Sequence, residues 1–258
     1  MNTRVAPYRI LLFSAIMIIL LAACQPKADE TGAPQPGETA AATQADTSMT
    51  VRADLLLDPA ITQDPDSLKV SRYLYDGLVR LDAGGAPQPA LAESWVISDD
   101  QLDYIFTLRS GLTFSDGTAI TPDVIADNFN RWFDPRSPLR GNGTYAAWEK
   151  IFLGFHGEKD DDDRAKSTVD GIQKVDVNTV LIHLNRPVPE LLTYLADPAF
   201  AILNPASLSD PAYGRQGSVI VSSGPYIVSS WSDSELTLSP NPNYWTTTPA
   251  GNVEFKVQ

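Results

Sequence analysis

The chain has 258 residues, 43% of them hydrophobic and 20% charged, enough for one large domain or two small ones with a true core. Acidic residues outnumber basic ones 32 to 19, and the formal charge of −13 argues against nucleic acid as a partner, because phosphate contact needs clustered Lys and Arg. The single cysteine excludes an internal disulfide framework.

Arg4 and Arg9 precede an apolar run, Ile10 to Ala23, broken only by Ser14. The run is short for a permanent membrane span and reads as an export signal over residues 1–23. It closes on Leu21-Ala22-Ala23-Cys24, which resembles the lipobox of bacterial lipoproteins. Cys24 is therefore the expected lipidation site, and the chain is expected outside the cytoplasm, anchored to the membrane by its acyl chains. Residues 24–49 are rich in Pro, Gly, Ala, Thr and acids and carry no aromatic residue, so they cannot bury enough surface to order themselves. They read as a disordered tether with a reach of about 25 to 30 Å.

The folded part is expected over residues 50–258, where short apolar runs alternate with turn signals. Ser67 to Val79 reads as a helix through Leu68, Tyr75, Leu78 and Val79. Residues 95–109 read as a hairpin, with Tyr104, Phe106 and Leu108 on one face of the second strand. Asp116-Gly117 is a tight-turn pair between Leu112-Thr113-Phe114 and Thr118-Ala119-Ile120. Immediately after it, Thr121 supplies an N-cap, Pro122 the first helical position and Asp123 a favourable charge, and Ile125, Phe129, Trp132 and Phe133 form one apolar stripe. Asp134-Pro135 ends that helix. Further hairpins are predicted at Ile172 to Leu184 and Tyr226 to Ser239, with a helix at Pro189 to Ala196 between them.

Several of these stretches carry a resemblance. Tyr75-Asp76-Gly77-Leu78, Leu91 to Trp95, Asp99-Asp100, Phe106-Thr107-Leu108-Arg109, Phe114-Ser115-Asp116-Gly117 and Asp123-Val124 follow one another in the order and spacing of a known pattern. Ser223-Gly224-Pro225-Tyr226 and Asn241-Pro242-Asn243-Tyr244-Trp245 continue it. Together they resemble the extracytoplasmic solute-binding proteins that serve peptide and nickel ABC importers. The resemblance implies a mixed α/β fold, the type II bilobal architecture of periplasmic binding proteins, of which this chain would hold most of the first lobe. Its members run to about twice this length, so the chain is expected to be an N-terminal fragment. It also implies a monomeric receptor that captures an oligopeptide or dipeptide and delivers it to the permease subunits of an ABC transporter. A nickel chelate is the alternative ligand, and a sensory lipoprotein that transports nothing the alternative role.

Tyr145 and Trp148 are candidate ligand contacts, because rigid aromatics give large contact area at low entropic cost. Arg140 is a candidate partner for a carboxylate. The resemblance adds Tyr75 and Asp76, which match the family's cleft edge. No cofactor and no metal site is expected: Glu158 to Asp163 lacks the spacing and central glycine of a calcium loop and reads as a solvated surface loop, and His156 and His183 lack a zinc-ligand context. Gly224-Pro225-Tyr226 reads as a backbone device that turns the chain into the last hairpin. An enzyme is not expected, since neither a G-x-S-x-G nor a zincin motif is present and the sole cysteine sits at the lipid position.

Overall fold

A computed structural model describes residues 47–258. The export signal, the lipidation of Cys24 and the tether up to residue 46 lie outside the described residues. In chain order the elements are β1 (Thr47–Val51), α1 (Pro65–Leu74), β2 (Val79–Leu81), β3 (Pro87–Pro89), β4 (Ala92–Ile97) and β5 (Asp103–Leu108). Next come α2 (Pro122–Phe133), α3 (Ala146–Phe152), β6 (Val169–Lys174), β7 (Thr179–Leu184) and α4 (Leu191–Tyr194). The chain ends with β8 (Tyr226–Trp231), β9 (Glu235–Pro240) and β10 (Val253–Val257).

Two four-stranded sheets carry the fold. One is antiparallel in the order β4-β5-β7-β6, built from the two hairpins the alternation predicts. Tyr104, Phe106 and Leu108 on β5 and Val180, Ile182 and Leu184 on β7 turn to the same buried face. The other has the order β1-β10-β9-β8, with the β8–β9 hairpin as predicted and β1 added in parallel to β10. Thr47, Ser48 and Met49 pair with Val253, Glu254 and Phe255, so the folded part begins three residues before the expected boundary at residue 50. Main-chain pairing can recruit a segment whose composition announces nothing.

The helix α2 forms as its sequence dictates. Thr121 Oγ1 accepts from the Val124 N–H at 3.4 Å, Pro122 opens the first turn, and Ile125, Phe129, Trp132 and Phe133 are buried against the antiparallel sheet. The turn upstream is a minimal hairpin: a single bridge joins Thr113 to Ala119, Gly117 has φ 84°, and the Asp116 carboxylate accepts from Thr118 N–H and hydroxyl at 2.9 and 2.6 Å. Asn204 then donates to Thr118 Oγ1 at 2.9 Å, which ties the turn to the rest of the fold.

Two expected helices are shorter than their periodicity. The first stops at Leu74, and its buried face is Ser67, Val70, Ser71 and Leu74 rather than the stripe through Tyr75, Leu78 and Val79. Tyr75 is extended (φ −134°, ψ 141°), and Val79 belongs to β2. Two buried serines hid the true stripe, one of them bonded back to the helix, Ser71 Oγ to Ser67 O at 2.8 Å. Between Pro189 and Ala196 only Leu191–Tyr194 is α-helical, and a 3-10 turn at Pro198–Phe200 follows. No described helix is long and apolar enough to cross a membrane.

Hydrophobic packing divides into two clusters, one between the antiparallel sheet and α2 to α4, the other between the mixed sheet and α1. The strap Phe200–Leu203 runs between them. Phe200 and Ile202 point into the first cluster, Ala201 and Leu203 into the second.

Candidate ligand cleft

The five residues expected to touch a ligand have different fates. Trp148 is 1% exposed, donates its indole N–H to Gly154 O at 2.9 Å and packs against Phe129, Phe133, Phe152 and Phe200. Tyr145 is 2% exposed and donates to Arg140 O at 2.6 Å, and burial pushes its phenol up to about 12. Both are core side chains, and neither offers a face to a solute. Arg140 is half-buried and turns one nitrogen inward. Its Nη1 donates to the carbonyls of Arg131 and Trp132 at 3.1 and 2.7 Å, at the C-terminal end of α2, while its guanidinium lies over the Tyr145 and Phe155 rings at 4.2 and 4.4 Å. The carbonyls it caps belong to the helix that it follows, a contact no local pattern announces.

Tyr75 is also turned inward. Its hydroxyl donates to Leu57 O at 2.9 Å and shares a 2.9 Å bond with the Tyr213 hydroxyl, and burial raises both phenols far above their ordinary range. This pair adjoins a buried ion pair that the sequence did not suggest. Arg131, buried on α2, grips Asp58 through both terminal guanidinium nitrogens, one at 3.2 Å, and donates Nε to Leu139 O at 3.0 Å. Burial works against the Arg131 charge, but the Asp58 carboxylate outweighs it and the guanidinium is held more firmly protonated than usual. Arg131 lies about 200° round the helix from Phe129, off the apolar stripe and beside the equally buried Asn128, so the periodicity gives no sign of an inward arginine.

Asp76 lines an opening together with Tyr75, while Arg140 borders a different one, of about 420 Å³, beside Asp58 and Tyr213. A cleft of about 300 Å³ runs between the end of α1, β2 and the segment Ala196–Ala201, with Arg72, Asp76, Arg80 and Asp197 on its walls. Asp76 Oδ2 accepts from the Trp245 indole N–H at 2.7 Å and the Tyr244 hydroxyl at 3.0 Å, while Oδ1 has no donor among the described residues. Burial raises the Asp76 carboxyl above its ordinary 3.8, partly countered by those two hydrogen bonds and by the Arg80 charge. Trp245 is held from its other side by Arg109, whose guanidinium carbon lies 4.4 Å from the ring centre. The two motifs at either end of the chain therefore meet at one carboxylate.

A second cleft, of about 380 Å³, is lined by Gln63, Lys150, Tyr194 and Asp197. Asp197 borders both, so the two open onto one stretch of surface. The acidic stretch 158–163 is a surface loop, as expected: Asp160 accepts from the Asp162 and Arg164 N–H groups at 3.0 Å, and Lys159 pairs with Asp163. His183 stands on the open face of β7, 2.5 Å from Asp103, and His156 lies edge-on to Phe133. The Ser223-Gly224-Pro225 turn is a backbone device, as predicted, but one of close approach: Gly224 N–H donates to Leu74 O at 2.9 Å and Asn241 Nδ2 to Gly224 O at 2.8 Å.

The family described as "Bacterial extracellular solute-binding proteins, family 5 Middle" has a sequence model that matches residues 86–257. The glutathione-binding protein GsiB of Escherichia coli K12 is 30% identical over 191 residues, 73% of this chain and 33% of its own length. The probable D,D-dipeptide-binding periplasmic protein DdpA of the same strain is 30% identical over 210 residues, covering 78% and 36%. Among solved structures, the periplasmic binding protein DppA of Helicobacter pylori, in complex with the peptide STSA, superposes with a TM-score of 0.67 at 23% identity, over 82% of this chain and 42% of that one. The chain thus spans about a third of the length of the curated relatives it matches.

Proposed function

This chain belongs to the family 5 bacterial extracellular solute-binding proteins, and we propose that it forms most of the first lobe of a receptor that captures short peptides outside the cytoplasmic membrane for an ABC importer. The observation that carries the reading is the family match over residues 86–257, joined to relatives named for glutathione and for a D,D-dipeptide, both short peptides. The surface around Asp197 and Asp76 is the wall we assign to the ligand. One such wall leaves most of a small solute in water, whereas a competent site buries 70 to 90% of it. A second lobe closing over this wall would complete the enclosure, and the permease would read the closed form, a population shift driven by differential affinity.

The rest of the assignment follows the same logic. Residues 1–23 direct export, Cys24 carries the lipid, and residues 24–46 hold the lobe clear of the headgroups; the receptor acts as a monomer and performs no chemistry. The test is calorimetry of the full-length gene product against di-, tri- and pentapeptides. Saturable binding at micromolar concentrations is expected, and absence of heat with every peptide at millimolar concentration would overturn the transport reading.

A further inference from the structure

The cleft beside Asp76 has a feature that the family assignment does not explain. Most arginines among the described residues have a partner for their guanidinium within the protein. Arg52, Arg131, Arg136 and Arg164 sit on carboxylates. Arg109, Arg140 and Arg186 donate to carbonyls. Among the described residues Arg72, Arg80 and Arg215 have no such partner, and two of these, Arg72 and Arg80, line the same 300 Å³ cleft. Both side chains are exposed, and in a chain where acids outnumber bases 32 to 19 they bring two positive charges to one concavity.

The carboxylates nearby do not take them. Asp76 Oδ2 is occupied by Trp245 and Tyr244, and Asp197 Oδ1 accepts from the Ala199 N–H at 2.9 Å as the cap of the 3-10 turn. Arg80 acts on Asp76 through its field and forms no ion pair with it. The planar donors of both arginines are thus left for a group from outside. A guanidinium fork matches a carboxylate in shape and charge, and two forks on one concave wall offer it charge-assisted bonds from two sides.

We propose that Arg72 and Arg80 form a subsite for a carboxylate of the captured solute, with Asp76 Oδ1 beside it to accept a ligand N–H. The proposal rests on the solute-capture reading and deepens it: the preferred ligands carry a free carboxylate with an amide N–H next to it, the pattern of a peptide C-terminus. Asp76 serves selectivity, because its charge opposes a second carboxylate placed close to the first.

The test follows the arginine Nε–H signals of the full chain by two-dimensional NMR during titration with Ala-Ala-Ala, with its C-terminal amide, and with succinate. Arg215, which is equally without a partner, is the internal control. Expected are saturable shifts at Arg72 and Arg80, none at Arg215, and affinity at least about tenfold lower for the amide than for the free acid, a difference of one decade in dissociation constant. The Arg72→Gln, Arg80→Gln double variant should melt as the parent does and lose that preference. If acid and amide bind alike and Arg72 and Arg80 shift no more than Arg215, the subsite is wrong while peptide capture stands. If succinate shifts the two arginines but neither peptide binds, the subsite stands and the peptide reading falls.

Discussion

Asp76 concentrates two demands in one side chain. Its Oδ2 holds Trp245 and Tyr244, some 170 residues away in sequence, as about the separation of the two motifs requires. Burial nevertheless raises its carboxyl above 3.8, so the folded protein holds this proton more tightly than the unfolded chain does. The resulting stabilisation is present in full below the ordinary value and is lost as pH rises through the raised one. Asp76→Asn keeps an acceptor for both donors and removes the titration, so its urea midpoint should change less with pH across that window than the parent's. Asp76→Ala removes the acceptor altogether and should cost about 1 to 3 kcal/mol at neutral pH. A parent and an Asn variant with parallel pH profiles would show that the charge is not held against burial. None of this was legible locally: the motif containing Asp76 is visible in the sequence, but its partners lie at the other end of the chain.

At the level of elements, what the sequence revealed follows how local each cause is. The hairpins β4–β5, β6–β7 and β8–β9 and the helix α2 are set by alternation, turn residues and capping within a few positions, and all appear where expected. The first helix is shorter than the periodicity predicts because Ser67 and Ser71 occupy buried positions, and because its end is imposed by a distant segment. That segment is the turn at Gly224. A Cβ there would lie 2.7 Å from Tyr75 N and 2.8 and 2.9 Å from Leu74 C and O, all main-chain atoms that cannot step aside. Gly224→Ala should therefore cost about 1 to 3 kcal/mol, read as a drop in melting temperature. Gly171→Ala is the control, since a Cβ at that position meets nothing within 4 Å. If the two variants melted alike, close approach at the end of α1 would not be what Gly224 is for. The strap Phe200–Leu203 is illegible in the sequence for a different reason: it is apolar on both sides, and a run without alternation carries no face to read.

That strap decides how the described part behaves as a whole. It inserts Phe200 and Ile202 into one cluster and Ala201 and Leu203 into the other, so neither core can open without disturbing residues that the other needs. Its position is fixed by Asn128 on α2, which donates Nδ2 to Leu203 O at 2.8 Å and accepts from Leu203 N–H at 2.9 Å, fully buried. Two sheets with separate cores would ordinarily allow separate openings, each with its own free energy. A shared strap argues for one cooperative unit instead. Native-state hydrogen exchange in increasing denaturant should then give the same opening free energy for the slowest amides of β7 and of β9, the inner strands of the two sheets. Asn128→Ala leaves both Leu203 groups unpaired and should lower the two values together, by about 1 to 3 kcal/mol. A fall confined to β7, on the side of the sheet that α2 covers, would mean that the strap fills space between two independent halves and does not join them.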